Sequence, residues 1–308
     1  MESPDGHISR PTDADSLVLE AWGQGLMVGS LVVMATVIVA NMKGRILLHK
    51  LILIELLLAI PHGTFIFNKP PVYGWYLSVS AVGLNISWSL HNVIAWMKIK
   101  PFYSRNVSTA YIATVLLVQP YWVLEIYANF AYFNKINRVF EVTRPLEPLF
   151  RDPWWICTTC SLFYTIKWGY SFALVELVTV SPRFGIMLAA MCLSIVFIII
   201  DTCSVLGVIR SAALPIGVQP FWKLSFIFKC LCNTVILDDF RTALDRIRLY
   251  HQRRMREAPT YPSLRDIPTI PARPRHYANS ACRPTLEEEV EETVGALIYV
   301  PRTADNIV

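Results

Sequence analysis

The sequence predicts an all-α polytopic membrane bundle of seven transmembrane helices, with the amino terminus lumenal or extracellular and the carboxyl terminus cytosolic. Three observations carry that expectation. Of the 308 residues, 54% are hydrophobic and 17% charged, where a soluble domain of this size carries about a quarter charged residues. Apolar runs near the roughly 20 residues needed to cross a hydrocarbon core recur at 22–42, 51–67, 73–97, 107–133, 154–180, 184–209 and 218–237. Lysine and arginine collect in the loops after the first, third and seventh runs, which share the cytosolic side only if the number of spans is odd.

Residues 1–21 form an acidic tail, with Glu2, Asp5, Asp13, Asp15 and Glu20 against Arg10. A cleavable signal begins basic, so none is expected here. The first and third spans carry no charge, and the sixth carries only Asp201. The second holds Glu55, the fourth Glu125, and the fifth Lys167 and Glu176. The seventh is the weakest, because Lys223 and Lys229 interrupt it.

The cytosolic loops are marked by Lys43, Arg45 and Lys50, by Lys98, Lys100 and Arg105, and by the arginines between 241 and 256. The loop after span four, 134–153, is the exception. It carries Lys135, Arg138, Arg144 and Arg151, partly offset by Glu141, Glu147 and Asp152, and Pro145, Pro148 and Pro153 exclude a continuous helix. Its end places Arg151 and Asp152, an ion-pair candidate, beside Trp154 and Trp155. The tryptophans read as an aromatic belt fixing the depth of span five, with a lid over a membrane cavity as the alternative. Residues 238–257 are a basic juxtamembrane segment. From 258 onward a proline-rich stretch and the acidic block 287–292 read as a disordered cytosolic tail.

The net charge of +5 reflects this cytosolic bias, and no nucleic-acid partner is expected. Cys192, Cys203, Cys230 and Cys232 fall inside spans and read as small apolar residues. Cys157 and Cys160 form a C-x-x-C without the second pair or the βαβ setting that metal or redox chemistry requires.

Four acids at bilayer depth, Glu55, Glu125, Glu176 and Asp201, are the informative feature. Each costs roughly 2.5 to 3.5 kcal/mol on insertion scales, so such groups have a partner or a task. Lys167 is the expected partner and Lys223 a weaker one. These bases cannot serve all four acids, so at least two acids must hold a proton or bond to amides and water. In span four Tyr121, Glu125, Asn129 and Tyr132 share a helical face. In span three Asn85, Trp88, Ser89, Asn92 and Trp96 make a polar-aromatic stripe, and span five offers Tyr164, Lys167, Trp168 and Ser171. Together with Asp201 these stripes are expected to converge on an interior cavity.

A buried neutral carboxylic acid facing aromatic rings is what protonation-driven isoprenoid cyclisation requires. The acid must hold a proton at neutral pH and deliver it to an olefin or an epoxide oxygen. Ring faces stabilise the carbocation, and exclusion of water prevents its capture. On this reading Glu125 is the proton donor or its electrostatic partner, with Asp201 its rival for the role. Tyr121, Trp122, Tyr132, Trp88 and Trp168 shape the cavity, while Asn129 and Asn92 orient the acid or the polar head of the substrate. No cofactor and no metal are expected, because the sequence holds neither a glycine-rich phosphate loop nor a ligand cluster with metal spacing. The LDDF segment 237–240 reads as a solvated helix cap.

Five stretches carry a family resemblance: HGTFIFNKPPVYGWYLS (62–78), QPYWVLEIYANFAYFN (119–134), RDPWWI (151–156), SPRFGIML (181–188) and LDDFRTAL (237–244). Over about 20–245 the chain resembles the fungal multi-spanning membrane-bound terpene cyclases of meroterpenoid biosynthesis, of the ascochlorin and macrophorin type. The resemblance implies a cyclase of secondary metabolism taking a lipophilic prenylated substrate from membrane lipid; a multi-pass location in the endoplasmic reticulum membrane is expected, with the plasma membrane as the alternative. It carries no residue-by-residue catalytic signature, so the site residues above rest on the residues alone. A heptahelical receptor or sensor, a small transporter and a membrane scaffold are the competing classes.

Overall fold

A computed structural model describes residues 10–11, 13–170, 174–206, 208, 220–237 and 240–257. All of them belong to one unit, Met1–Ala258. Residues 1–9 and 12 of the acidic start, the Asp238-Asp239 pair and the tail expected from 258 lie outside the described residues. Residues 14–21, expected to belong to that acidic tail, instead form the first turns of a helix in which Glu20 is buried.

Asp13 opens α1 (Ala14–Ala40) by accepting the Ser16 amide at 2.8 Å, satisfying one of the free donors at the helix start. Met27, Leu31 and Ile38 on this helix are fully buried, while Val33 and Val39 face outward. A helix apolar on both sides suits a lipid surround. α2 (Leu47–Ala59) runs into a 3₁₀ turn, Pro61–Phe67, where Pro61 ends the regular hydrogen bonding. α3 (Val72–Ile99) is the longest helix. α4 (Arg105–Leu117) and α5 (Gln119–Phe133) meet at Val118, just before Pro120.

Among the described residues, four elements are long and apolar enough to cross a membrane: Ala14–Ala40, Leu47–Phe67, Arg105–Phe133 and Pro182–Val205. The other three expected spans differ from that description for separate reasons. α3 has the length but carries Asn85, Ser87, His91 and Asn92. The fifth run is broken into α8 (Pro153–Tyr164), a π turn at Thr165–Gly169 and α9 (Leu174–Val180). α10 (Pro182–Val205) follows, and then α11 (Phe221–Val235), only 15 residues long. At 1.5 Å per residue, α11 extends about 22 Å. α12 (Phe240–Glu257) buries Phe240 and Leu244 and leaves Arg241 and Arg248 outside.

The 134–153 loop turns inward. α5 ends in a Schellman motif: the Ile136 amide reaches the Ala131 carbonyl at 2.7 Å, and Lys135 takes a φ of 62°. Two short helices, α6 (Val139–Thr143) and α7 (Glu147–Arg151), flank a 3₁₀ turn at Arg144–Leu146. α6 packs on α5. Glu147, Arg151 and Asp152 are each at most 5% exposed.

Two apolar clusters organise the core. One gathers Leu31, Ile52, Leu56, Trp88, Trp122 and Phe226, and the other Trp155, Leu162, Met187, Met191 and Phe240. α11 contributes to both, through Phe226 and Cys230 to the first and Cys232 to the second. Its neighbours are α10, α1 and α2. Close approach of α2 and α3 depends on Gly83, where a Cβ would lie 2.7 Å from the Leu58 carbonyl oxygen.

Candidate functional site

Bringing α7, α8, α10 and α11 together assembles a buried set of charges that lie far apart in sequence. Arg151, at the end of α7, donates from Nη1 to Glu147 at 2.7 Å and from Nη2 to Asp152 at 2.9 Å and to Asp201 at 2.8 Å. Lys229 of α11 reaches Oδ1 of Asp152 at 2.5 Å. Arg144 pairs with the other oxygen of Glu147. The planar five-donor guanidinium suits this work, since one arginine can bind three carboxylates in fixed directions. Its carbon also stands 5.2 Å from the centre of the Trp88 ring.

The loop-borne charges hold each other ionised. Burial works against the Asp152 carboxylate, but Arg151 and Lys229 outweigh it and keep the acid below the ordinary carboxylate range. Burial likewise opposes the Arg151 charge, and Asp152 and Asp201 more than compensate. In this group Arg144, Arg151 and Lys229 balance Glu147, Asp152 and Asp201, three charges against three.

Glu125 stands beside this balanced set without an ion pair among the described residues. It is 4% exposed. Its polar neighbours are Thr143, Arg144 and Tyr121, and its Oε2 is buried with no hydrogen-bond partner. Oδ1 of Asn129 and Oδ1 of Asp201 are also buried and unsatisfied. Buried acceptors without partners are uncommon, because each costs about 1–3 kcal/mol. Three of them occur at residues singled out for chemistry.

An aromatic row adjoins these acids. Phe150 stacks on Tyr121 at 4.1 Å, Tyr121 meets Trp122 at 5.4 Å, and Trp122 meets Trp88 at 5.5 Å. Trp88 meets Trp222 at 5.9 Å, and His62 follows at 6.2 Å. Tyr121 also donates to the Thr143 carbonyl at 2.9 Å, which fastens α6 over the row. Tyr132 is 1% exposed and packs on Phe140 at 5.2 Å. Asn92 is 3% exposed on α3, one turn beyond Trp88.

The structure thus gathers Glu125, Tyr121, Trp122 and Trp88 near Asp201, through Arg144 and Arg151. Tyr132 and Asn129 extend the same face of α5. Trp168 does not join them. It sits in the π turn, 67% exposed, with the Lys167 ammonium 5.4 Å from its ring centre. Lys167 is itself exposed, so it is not the expected ion partner of a buried acid. That part is taken by Arg151, Lys229 and Lys223, the last bonded to Glu20 at 2.7 Å. The side chain of Glu176 lies outside the described residues.

Trp155 is fully buried and donates to Ser194 at 2.7 Å, so it is a core anchor and not a lipid-facing belt. Glu147, Lys229 and Trp222 were not singled out as site residues from the sequence. The loop ion pair Arg151-Asp152 was the available signal for the first two. Among the described residues no three histidine, cysteine, aspartate or glutamate side chains group as metal ligands. A cleft of about 270 Å³ lined by Leu57, Pro61, Tyr76, Val79 and Gly83 opens between α2 and α3, apart from the acids. Compared with known protein families, curated proteins and solved structures, the chain matches none.

Proposed function

We propose that the chain is an integral-membrane terpene cyclase that closes the isoprenoid chain of a prenylated substrate by protonating an olefin or epoxide. The observation that carries this reading is Glu125. Beside the set in which three bases match three acids it is a buried acid without an ion pair among the described residues, its Oε2 is unpaired, and Tyr121 and Trp122 adjoin it on α5. An acid in that position carries its proton as a neutral group, ready for delivery in a site from which water is excluded. Trp122, Trp88 and Trp222 offer successive ring faces to a positive charge moving along the chain. Asp201, bound by Arg151, acts as an electrostatic partner in this reading. Asn129 and Asn92 orient the polar head, and no metal or nucleotide takes part.

Seven crossings, an outside amino terminus and an endoplasmic reticulum location belong to the same proposal. The 134–153 loop had spoiled the charge asymmetry on which that orientation rests. Arg144 and Arg151 pair inside the bundle with Glu147, Asp152 and Asp201. Pairing in the folded bundle does not remove them from the count, which follows Lys and Arg alone and is not a net-charge rule, so this loop stays the exception to the asymmetry. Glycosylation acceptors fused at either end test the orientation: modification at the carboxyl terminus sinks it.

The test of function is turnover in yeast microsomes fed linear farnesylated phenols and their terminal epoxides. Cyclised product that disappears in Glu125→Gln, with expression intact, is the expected result. A second reading, a proton-coupled carrier, is favoured by the buried ion pairs Glu20–Lys223 and Asp152–Lys229 spaced along α11. Proton-driven flux into vesicles without product formation would select it.

A further inference from the structure

A second buried cluster centres on Glu55 of α2, which is fully buried. Its Oε1 lies 2.6 Å from Nδ1 of His91 and 3.5 Å from Sγ of Cys230, and its Oε2 lies 3.2 Å from Nδ2 of Asn233. The amide and the thiol donate to Glu55, so the carboxylate is the shared acceptor. The amide nitrogen also stands 3.3 Å from Nδ1 of His91, but the much shorter 2.6 Å contact with Oε1 places the imidazole proton on Nδ1. Nε2 is then the free nitrogen of the ring. It is buried and has no hydrogen-bond partner.

Orienting a histidine by a carboxylate on one nitrogen while the other stays bare is how a general base is prepared. His91 lies one turn beyond Trp88, a member of the aromatic row, on α3, and the Trp155 ring of α8 packs on it at 4.9 Å. The groups that face the cluster are Glu55 from α2, Cys230 and Asn233 from α11, and Trp155 from α8. Lys229, the neighbour of Cys230, is taken by Asp152.

We infer that His91, held in one tautomer by Glu55, is the proton acceptor that ends the cyclisation, an assignment that rests on the cyclase reading above. Glu125 gives its proton to the terminal olefin carbon, or to the epoxide oxygen as a C–O bond breaks toward that oxygen. The π electrons of successive double bonds then form the ring bonds. The last cation loses a proton from the adjacent carbon to Nε2, and that C–H electron pair becomes the double bond of the product. One proton enters and one leaves, so the reaction is an isomerisation without oxidant or co-reactant. His91 returns its proton to Glu125 through solvent between turnovers.

Two measurements on the full chain test this. In lipid nanodiscs, ¹⁵N NMR of the histidine-labelled protein should show His91 protonated on Nδ1 and bare on Nε2, with that pattern lost in Glu55→Gln. The opposite tautomer overturns the inference whatever the turnover. In microsomes, His91→Gln should form the wild-type olefin at least about 10²-fold more slowly, the lower range of what a positioned base contributes. Double-bond isomers and water-captured alcohols should take its place. Glu55→Gln, which keeps the side-chain shape, should shift the products the same way if His91→Gln does not fold. An unchanged product ratio in a folded variant overturns the acceptor role and leaves the cyclase reading intact. Absence of consumption by the wild type fells the cyclase reading and the acceptor role with it.

Discussion

The ammonium of Lys229 stands 2.5 Å from Oδ1 of Asp152, tying the middle of α11 to the α7–α8 junction. Both side chains are at most 5% exposed. Breaking a buried pair by removing one partner costs about 3–5 kcal/mol, because the other charge is left uncompensated. Asp152→Asn should therefore lower the melting temperature in detergent markedly. The double variant Asp152→Asn/Lys229→Met should recover part of that loss, as Arg151 keeps Glu147 and Asp201. Strictly additive losses in thermal melts would show that the two groups are not energetically coupled.

The same pair sets a response to acid. Arg151 and Lys229 hold the folded-state Asp152 carboxyl below its ordinary value in spite of burial. A depressed folded value means that the stabilisation is fully present above the unfolded pKa, about 3.9. It is lost as the pH falls through the lowered folded value. Melting temperature should therefore be insensitive to Asp152 from neutral pH down to about 5 and fall below about 4. Asp152→Asn should flatten that acid limb, and an equally steep limb in the variant would assign it to other groups.

Glu125→Gln preserves the size and burial of the side chain while removing the transferable proton. Turnover should fall by at least about 10²-fold, the lower range for a general acid, with the melting temperature within a few degrees of wild type. Asp201→Asn should behave differently, because its Oδ2 accepts from Arg151 at 2.8 Å. It should lose stability and activity together. Comparable activity in Glu125→Gln and wild type would remove Glu125 as donor.

Gly83→Ala tests the packing that brings Glu55 and Trp88 to one core. The added Cβ would meet the Leu58 carbonyl oxygen at 2.7 Å, a backbone atom that cannot rotate away. A loss of about 1–3 kcal/mol is expected from overpacking. Gly25→Ala, where the new Cβ meets nothing within 4 Å, should be neutral or slightly stabilising. Equal melts for the two variants would refute the close α2–α3 approach.

Trp88→Leu should slow turnover more than it lowers stability. Its ring bridges Trp122 and Trp222 and lies under the Arg151 guanidinium. A positive charge over an aromatic face gains about 0.5–2 kcal/mol, most where water is excluded. The check is the rate in microsomes set against the detergent melt; unchanged turnover would take Trp88 out of the cation path.

Much of the architecture was legible because it is local. Helical spacing put Tyr121, Glu125 and Tyr132 on one face of α5, and the adjacent residues Arg151 and Asp152 announced an ion pair. Spacing alone does not say which face of a helix is covered. In the fifth run the face Trp155, Thr159, Leu162 and Ile166 is buried. Lys167 and Trp168 follow Ile166 within the π turn and are exposed. Tyr164, Lys167 and Trp168 of the polar stripe read there as interior lie on the surface, and Ser171 lies outside the described residues.

By itself, the sequence determined that the chain is helical and apolar, that it carries acids within its long apolar runs, and where α5 turns them. Only the tertiary structure decided which base meets which acid. Glu20 and Lys223 are 203 positions apart, and no local rule pairs groups across that distance. The lysines that made the seventh run look weakest are the ones that fasten α11 into the bundle. Buried charges require partners, and the partners are chosen by packing: α11 is held where Glu20 and Asp152 wait, and Glu125 has no ion pair among the described residues.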